Sequence, residues 1–176
     1  MRKGLIHVYT GDGKGKTTSA IGQGIRAFGR GNKVYMIQFL KSQDTGELLT
    51  LKNLEPNFKV YRFEKIKGFI YNLTQEEIEE LKKQINTAFD FVKNTISNCN
   101  CDLLILDEII GVLSNNLINI NSIINLLKNK PEKMEIILTG RNAPKEIQDI
   151  ADYISEIKSI KHPLENGIPA RKGIEY

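Results

Sequence analysis

Hydrophobic positions along this chain fall into short apolar runs separated by stretches of helical spacing. Leu5 to Tyr9 is the first run and has strand character. Beyond it, Ala20, Ile21, Ile25 and Phe28 recur at helical spacing and predict a helix that stops near Gly29 and Gly31. Lys33 to Phe39 is mostly apolar through Val34, Met36, Ile37 and Phe39, the pattern of a buried strand. Lys41 to Asn57 keeps no period and predicts a loop with one helical turn near Leu48. Lys59 to Phe63 alternates and reads as a third strand.

The clearest helix begins at Thr74, where Thr74 and Glu77 have the spacing of a capping box. Ile78, Leu81, Ile85, Phe89 and Val92 then follow down one side. Asp102 to Glu108 reads as a buried strand, four apolar residues from Leu103 to Leu106 running into two carboxylates. Asn115 to Lys130 is rich in Asn, Ile and Leu, but Ile120, Ile123, Ile124 and Leu127 are spaced for a packed helix. Glu135 to Leu138 is a fifth strand, Pro144 opens a short helix through Ile150, and Tyr153 to Ile157 predicts a last strand. The tail from Lys161 to Tyr176 has little period. Alternating strands and helices predict one α/β domain over residues 1–176, a mainly parallel sheet of about six strands with helices on both faces.

Composition narrows the function. The 176 residues are 40% hydrophobic and 26% charged, as in globular domains. The net charge of +4 is modest and its basic residues are interleaved with acids, which favours a small anionic ligand over nucleic acid. The apolar run after Met1-Arg2-Lys3-Gly4 is too short for a signal peptide, and no segment is long enough for a membrane span, so a cytoplasmic location is expected. Cys99 and Cys101 are one residue apart, poor geometry for a disulfide and too few ligands for zinc; both are expected to be reduced thiols.

The chemistry concentrates where strands end. Thr10-Gly11-Asp12-Gly13-Lys14-Gly15-Lys16-Thr17-Thr18 links the first strand to the first helix. Glycines let backbone amides face an anion, the helix N-terminus adds its dipole, Lys16 supplies a point charge and Thr17 a magnesium-ligating hydroxyl. The strict pattern GxxxxGK[ST] has glycine where Thr10 stands, so the loop is a variant form. Asp107 and Glu108 are candidates to hold magnesium, directly or through water. Arg141, in Thr139-Gly140-Arg141, is a candidate phosphate clamp. In a parallel sheet all three pieces lie at the C-terminal edge, where ligands bind. Phe69 and Tyr71, flanked by Gly68 and Asn72, either fold back on the core or form an apolar wall for a planar ligand. His7 lies within the first strand and reads as a packed histidine, and nothing local gives His162 a chemical role.

With these residues assembled, the chain closely resembles the ATP:corrinoid adenosyltransferases that carry a variant phosphate loop. The likeness runs from Gly4 to Tyr176. It rests on TGDGKGKTT, Arg26-Ala27, Gln38-Phe39-Leu40-Lys41, Gly68-Phe69-Ile70-Tyr71, Leu106-Asp107-Glu108, Leu138-Thr139-Gly140-Arg141, Lys161-His162-Pro163 and Gly173-Ile174-Glu175-Tyr176. The resemblance implies a P-loop NTPase-like fold in which ATP is an alkyl donor. Reduced cobalt of cob(I)alamin, or of a precursor such as cob(I)yrinic acid a,c-diamide, attacks its 5′ carbon and expels triphosphate. Gly11, Asp12, Gly13, Lys14, Gly15, Lys16, Thr17 and Thr18 then bind the nucleotide, with Arg26 as an adenine-side candidate. Thr17, Asp107 and Glu108 hold Mg2+, and Lys16 and Arg141 neutralise the leaving group. Phe69 and Tyr71 match the aromatic pair that displaces the corrinoid's lower axial ligand, although tryptophan is usual where Tyr71 stands.

The same likeness implies ATP bound in reversed orientation, a homodimer and a flavoprotein reductant. The N-terminal extension that covers the neighbouring site in some relatives has no counterpart, so a lid is expected from Lys41 to Asn57 or from the tail. Two other readings remain at this point. An ordinary phosphate-loop kinase or NTPase would release ADP, and a nucleotide-dependent regulatory or nucleic-acid-binding module would need a stronger charge excess.

Overall fold

The six apolar runs become the strands of one sheet. They are β1 (Ile6–Thr10), β2 (Val34–Gln38), β3 (Phe58–Arg62), β4 (Leu103–Asp107), β5 (Glu135–Thr139) and β6 (Tyr153–Glu156). The structure is a computed structural model and describes residues 3–41, 45–65 and 70–176. Strand order is β3-β2-β4-β5-β1-β6, and each neighbouring pair is parallel. The expected mainly parallel sheet is therefore parallel throughout its described strands.

Because side chains alternate across a strand, the apolar runs feed both faces. Val34, Met36, Leu103, Ile105 and Ile137 meet α1 (Lys16–Phe28) and α2 (Gly46–Leu51) on one face. Tyr35, Ile37, Leu104, Leu106, Ile136 and Leu138 meet the other layer. That layer holds α3 (Gln75–Ser97), α4 (Ile109–Ser114), α5 (Ile120–Lys128) and α6 (Lys145–Gln148). The capping box at Thr74 is present in both directions, Glu77 N–H to Thr74 Oγ1 at 3.2 Å and Thr74 N–H to Glu77 Oε2 at 2.8 Å. The short α4 was not anticipated. Its six residues are nearly all apolar and carry no amphipathic period to detect.

Register brings the strand ends level. Tyr9 pairs with Thr139, and Gln38 with Asp107. Chain leaving β1 passes to the α1 face, whereas chain leaving β4 and β5 passes to the opposite face. Such a divergence opens a crevice at the carboxyl edge. His7 is a packed residue, with Nε2 2.5 Å from Glu135 Oε1 and its ring stacked on Tyr153. Cys99 and Cys101 are free thiols, and burial pushes that of Cys101 up to about 12. Among the described residues no helix is long and apolar enough to cross a membrane.

Glu64, two residues past β3, is buried, and both carboxylate oxygens lack a hydrogen-bond partner among the described residues. Burial raises its pKa above the ordinary 4.5, while nearby amides of Glu64, Phe63 and Leu40 pull the other way. A raised carboxyl pKa means stability that is full below 4.5 and is lost as pH climbs through the folded-state value. Glu64→Met removes that loss. Urea unfolding should show the variant gaining on wild type with rising pH, reaching about 1–2 kcal/mol near pH 8. A pH-independent difference would show that the carboxyl is not held away from water.

Candidate active site

The phosphate loop leaves β1 at Thr10 and enters α1 at Lys16. Thr10, in the position the strict motif gives to glycine, is buried, and its hydroxyl accepts from the Ala143 amide at 3.2 Å. The variant residue thus ties the loop to the segment that carries Arg141. Gly11 has φ of +99°, and a Cβ there would stand 2.4 Å from the Ile157 carbonyl oxygen. The Gly13 amide donates to that same carbonyl at 2.8 Å, and Asp12 accepts from the Ser159 amide at 3.2 Å. The Ser159 bond holds the Asp12 carboxyl below its usual range. Chain following β6 therefore braces the loop. At the far end of the tail, Glu175 approaches exposed Lys14 at 4.0 Å.

No side chain caps the N-terminus of α1, and no acid stands in its first turn. Its free amides are left for an anion. Lys16 is only 7% exposed. Its Nζ donates to the Gly13 carbonyl at 2.8 Å, and among the described residues no carboxylate lies within ion-pair distance. Burial pushes its pKa down; Glu108 pulls it back up, and Arg141 pushes it further down. A desolvated ammonium whose one close partner is a neutral carbonyl is poised for an incoming phosphate.

Asp107 is fully buried at the end of β4 and accepts four donors. Thr17 Oγ1 and Thr139 Oγ1 reach Oδ1 at 2.9 and 2.7 Å. Gln38 Nε2 and Lys41 Nζ reach Oδ2 at 3.1 and 2.7 Å. Lys41 Nζ also donates to Thr17 Oγ1 at 2.9 Å. Arg62 Nε in turn holds Gln38 Oε1 at 2.7 Å, which fixes the amide orientation. Glu108 follows in the left-handed conformation, φ 61°, with its amide donating to Thr139 Oγ1 at 2.9 Å. Burial raises the Glu108 pKa and the Asp107 charge raises it further; Lys41, Lys16 and Arg141 pull it down. Gly140, at φ +144°, lets the next loop pass α4 where a Cβ would be 2.6 Å from Ile110 Cβ.

Most of the expected residues converge. The loop, Lys16, Thr17, Asp107 and Glu108 form one cluster, and Arg141 stands exposed at its rim, close enough for its charge to act on Lys16, Asp12 and Glu108. Thr18 is exposed on the first turn of α1. Arg26 is not brought to the loop: it lies ten residues beyond Lys16, about 15 Å along the helix axis, with Nη1 3.5 Å from Gln23 Oε1. Tyr71 is 79% exposed in a short 3-10 turn, Ile70–Asn72, whose Ile70 packs on the core. For Tyr71 the fold-back reading is thus not met. Phe69 lies outside the described residues. Lys41, Gln38 and Thr139 were assigned no role from sequence. The available signal was a polar Gln38 closing an apolar run, with a lysine three residues on.

The sequence profile of the family described as ATP:corrinoid adenosyltransferase BtuR/CobO/CobP matches residues 2–176. The chain belongs to this family. It is 31% identical over 175 residues to the corrinoid adenosyltransferase CobA of Salmonella typhimurium, covering 99% of this chain and 86% of that protein. It is 34% identical over 178 residues to a corrinoid adenosyltransferase of a Sinorhizobium species, covering 99% and 81%. Among solved structures, the flagellar accessory protein FlaH of Methanocaldococcus jannaschii shares the fold. The TM-score is 0.53 at 16% identity, covering 89% of this chain and 72% of that one. Family membership makes the chain a transferase that adenosylates corrinoids, and the cluster at the carboxyl edge is its candidate active site.

Proposed function

We propose that the chain transfers the 5′-deoxyadenosyl group of ATP to the reduced cobalt of cob(I)alamin or a precursor corrinoid. The cobalt electron pair forms the Co–C bond, the C5′–O bond breaks, and its electrons leave on triphosphate. The observation that carries this reading is buried Lys16, which has no carboxylate within ion-pair distance among the described residues. Buried Lys16 and the uncapped α1 amides stand together in the loop, and the Arg141 charge is close enough to act on Lys16. Such a cradle favours departure of a highly charged leaving group, and the displacement needs no general base.

Loop residues Gly11 to Thr18 bind the phosphates in this reading, and Arg26 would serve adenine only if the nucleotide extended along α1. Thr17, Asp107 and Glu108 suit magnesium because they offer hard oxygen donors, and two of them, Thr17 and Asp107, already hold a cation, the Lys41 ammonium. Among the described residues no group of three or more His, Cys, Asp or Glu could by itself hold a metal ion, so the substrate phosphates and water would have to complete the magnesium shell. When bound, Mg2+ supplies charge neutralisation on the leaving phosphates. Exposed Tyr71, with Phe69, is assigned to the corrinoid side. A homodimer and a flavoprotein reductant accompany the proposal through family likeness, and a single domain and a cytoplasmic location through the length and hydropathy of the chain.

The test is anaerobic incubation with ATP, MgCl2 and chemically reduced cobalamin. Photolabile adenosylcobalamin should form with one equivalent of tripolyphosphate. ADP and orthophosphate without a cobalt–carbon product would replace this reading with an ordinary phosphate-loop hydrolase.

A further inference from the structure

The Asp107 network contains a feature that nucleotide binding alone does not explain. Lys41 is three residues past β2, and its ammonium lies between Thr17 Oγ1, 2.9 Å away, and Asp107 Oδ2, 2.7 Å away. These are two of the oxygens assigned above to magnesium. A carboxylate offers about four acceptor positions, and all four of Asp107 are taken, by Thr17, Thr139, Gln38 and Lys41. A metal ion can reach Asp107 directly only if one donor leaves. Gln38 and Thr139 are fully buried, and Arg62 secures Gln38 from behind. Thr17 is itself a proposed metal ligand on the first turn of α1. Lys41 differs from all three. Its flexible side chain is a quarter exposed and rises from the connection beyond the sheet edge.

We infer that Lys41 is a resident surrogate cation that trades places with Mg2+ at Thr17 and Asp107. In the nucleotide-free protein its ammonium balances the fully buried Asp107 carboxylate, which would otherwise carry a large desolvation cost. When Mg2+ arrives with the nucleotide, the divalent ion takes over that role. The ammonium is released at the rim of the phosphate loop, where it adds positive charge beside the polyphosphate. Two cations cannot share the same pair of oxygens at contact distance, so metal entry and lysine exit are a single exchange. The device suppresses metal binding without substrate and makes Mg2+ and ATP bind cooperatively, since the phosphates supply ligands that the lysine cannot match. Lys41 is thus a positioning residue for the metal.

The inference rests on the magnesium reading above, and one set of titrations separates the two. MgCl2 binding is measured calorimetrically with and without ATP, and the melting temperature is followed against MgCl2, for wild type and Lys41→Met. Without nucleotide, the variant should bind Mg2+ at least about tenfold more tightly than wild type. Its melting temperature should start lower and climb with MgCl2, while that of wild type stays flat. Cooperativity between Mg2+ and ATP should shrink in the variant. Should the methionine protein fail to fold, Lys41→Gln, neutral yet still able to donate to one of the oxygens, carries the same expectations. Equal Mg2+ affinity in wild type and variant, or weaker affinity in the variant, would overturn the exchange while leaving Mg2+-dependent ATP binding standing. Absence of Mg2+-dependent ATP binding in wild type would overturn both.

Discussion

Alanine in place of Lys16 should lower kcat/KM for ATP by about 100-fold or more while leaving the protein as stable as wild type or slightly more so. The two effects diverge for one reason. The ammonium is buried, and its one close partner among the described residues is the neutral Gly13 carbonyl at 2.8 Å. In the folded protein it is therefore a cost until an anion arrives. Its pKa is depressed from 10.5, chiefly by that burial. A depressed lysine pKa means that the folded state disfavours the charged form. The cost is full below the folded-state value and vanishes as pH rises past 10.5. Unfolding measured between pH 7 and 11 should show the alanine protein ahead at neutral pH and level with wild type at the alkaline end. Lost activity accompanied by a large loss of stability would mean that Lys16 holds the loop together rather than serving the ligand.

Asp107→Ala should be the most damaging single change to stability in the site, costing about 3–5 kcal/mol, or about 10 °C in melting temperature for a chain of this size. Truncation strands the Thr139 hydroxyl, the Gln38 amide and the Lys41 ammonium around one buried void. Asp107→Asn should cost less, because an amide oxygen still serves the two threonines at Oδ1, although its NH2 then faces the donors of Gln38 and Lys41. Both variants should also fail to show Mg2+-dependent ATP binding, which separates them from Lys16→Ala through their thermal melts. An unchanged melting temperature in the alanine protein would show that the four donors find water instead.

Together the two substitutions divide the site by energetic role. In the proposed function Lys16 represents stability given up for ligand binding, whereas Asp107, with its four donors, is the hub that the fold and the proposed metal site share. Lys41 connects them, since its ammonium touches the Asp107 carboxylate and the Thr17 hydroxyl next to Lys16. This connection also shows where sequence reading reached its limit. The strand runs, the capping box at Thr74 and the helix over Ile120 to Leu127 are short-range signals, each set by side-chain period or by a contact spanning three or four residues. They appear in the structure with boundaries shifted by a residue or two, as helix and strand ends usually are. The six residues of α4 were missed because a segment apolar in nearly every position has no face to read.

Thr10 illustrates the same boundary inside the motif. In sequence it is a departure from glycine, and only the fold shows its hydroxyl receiving the Ala143 amide, 133 positions away. Arg26, the adenine-side candidate, is placed about 15 Å along α1 from Lys16 by helix rise alone.

By itself, the sequence determined the alternation of strands and helices, the parallel sheet, the phosphate loop and the acidic strand end, and with them the family. Local period, turn chemistry and motif spacing are enough for those. Tertiary structure alone decided that Lys41 would neutralise Asp107, that Gln38 and Thr139 would complete its shell, and that chain after β6 would brace the loop. Those contacts join residues 32 to 147 positions apart. Such partners are chosen by sheet order and by the need to satisfy buried charge, neither of which leaves a period along the chain.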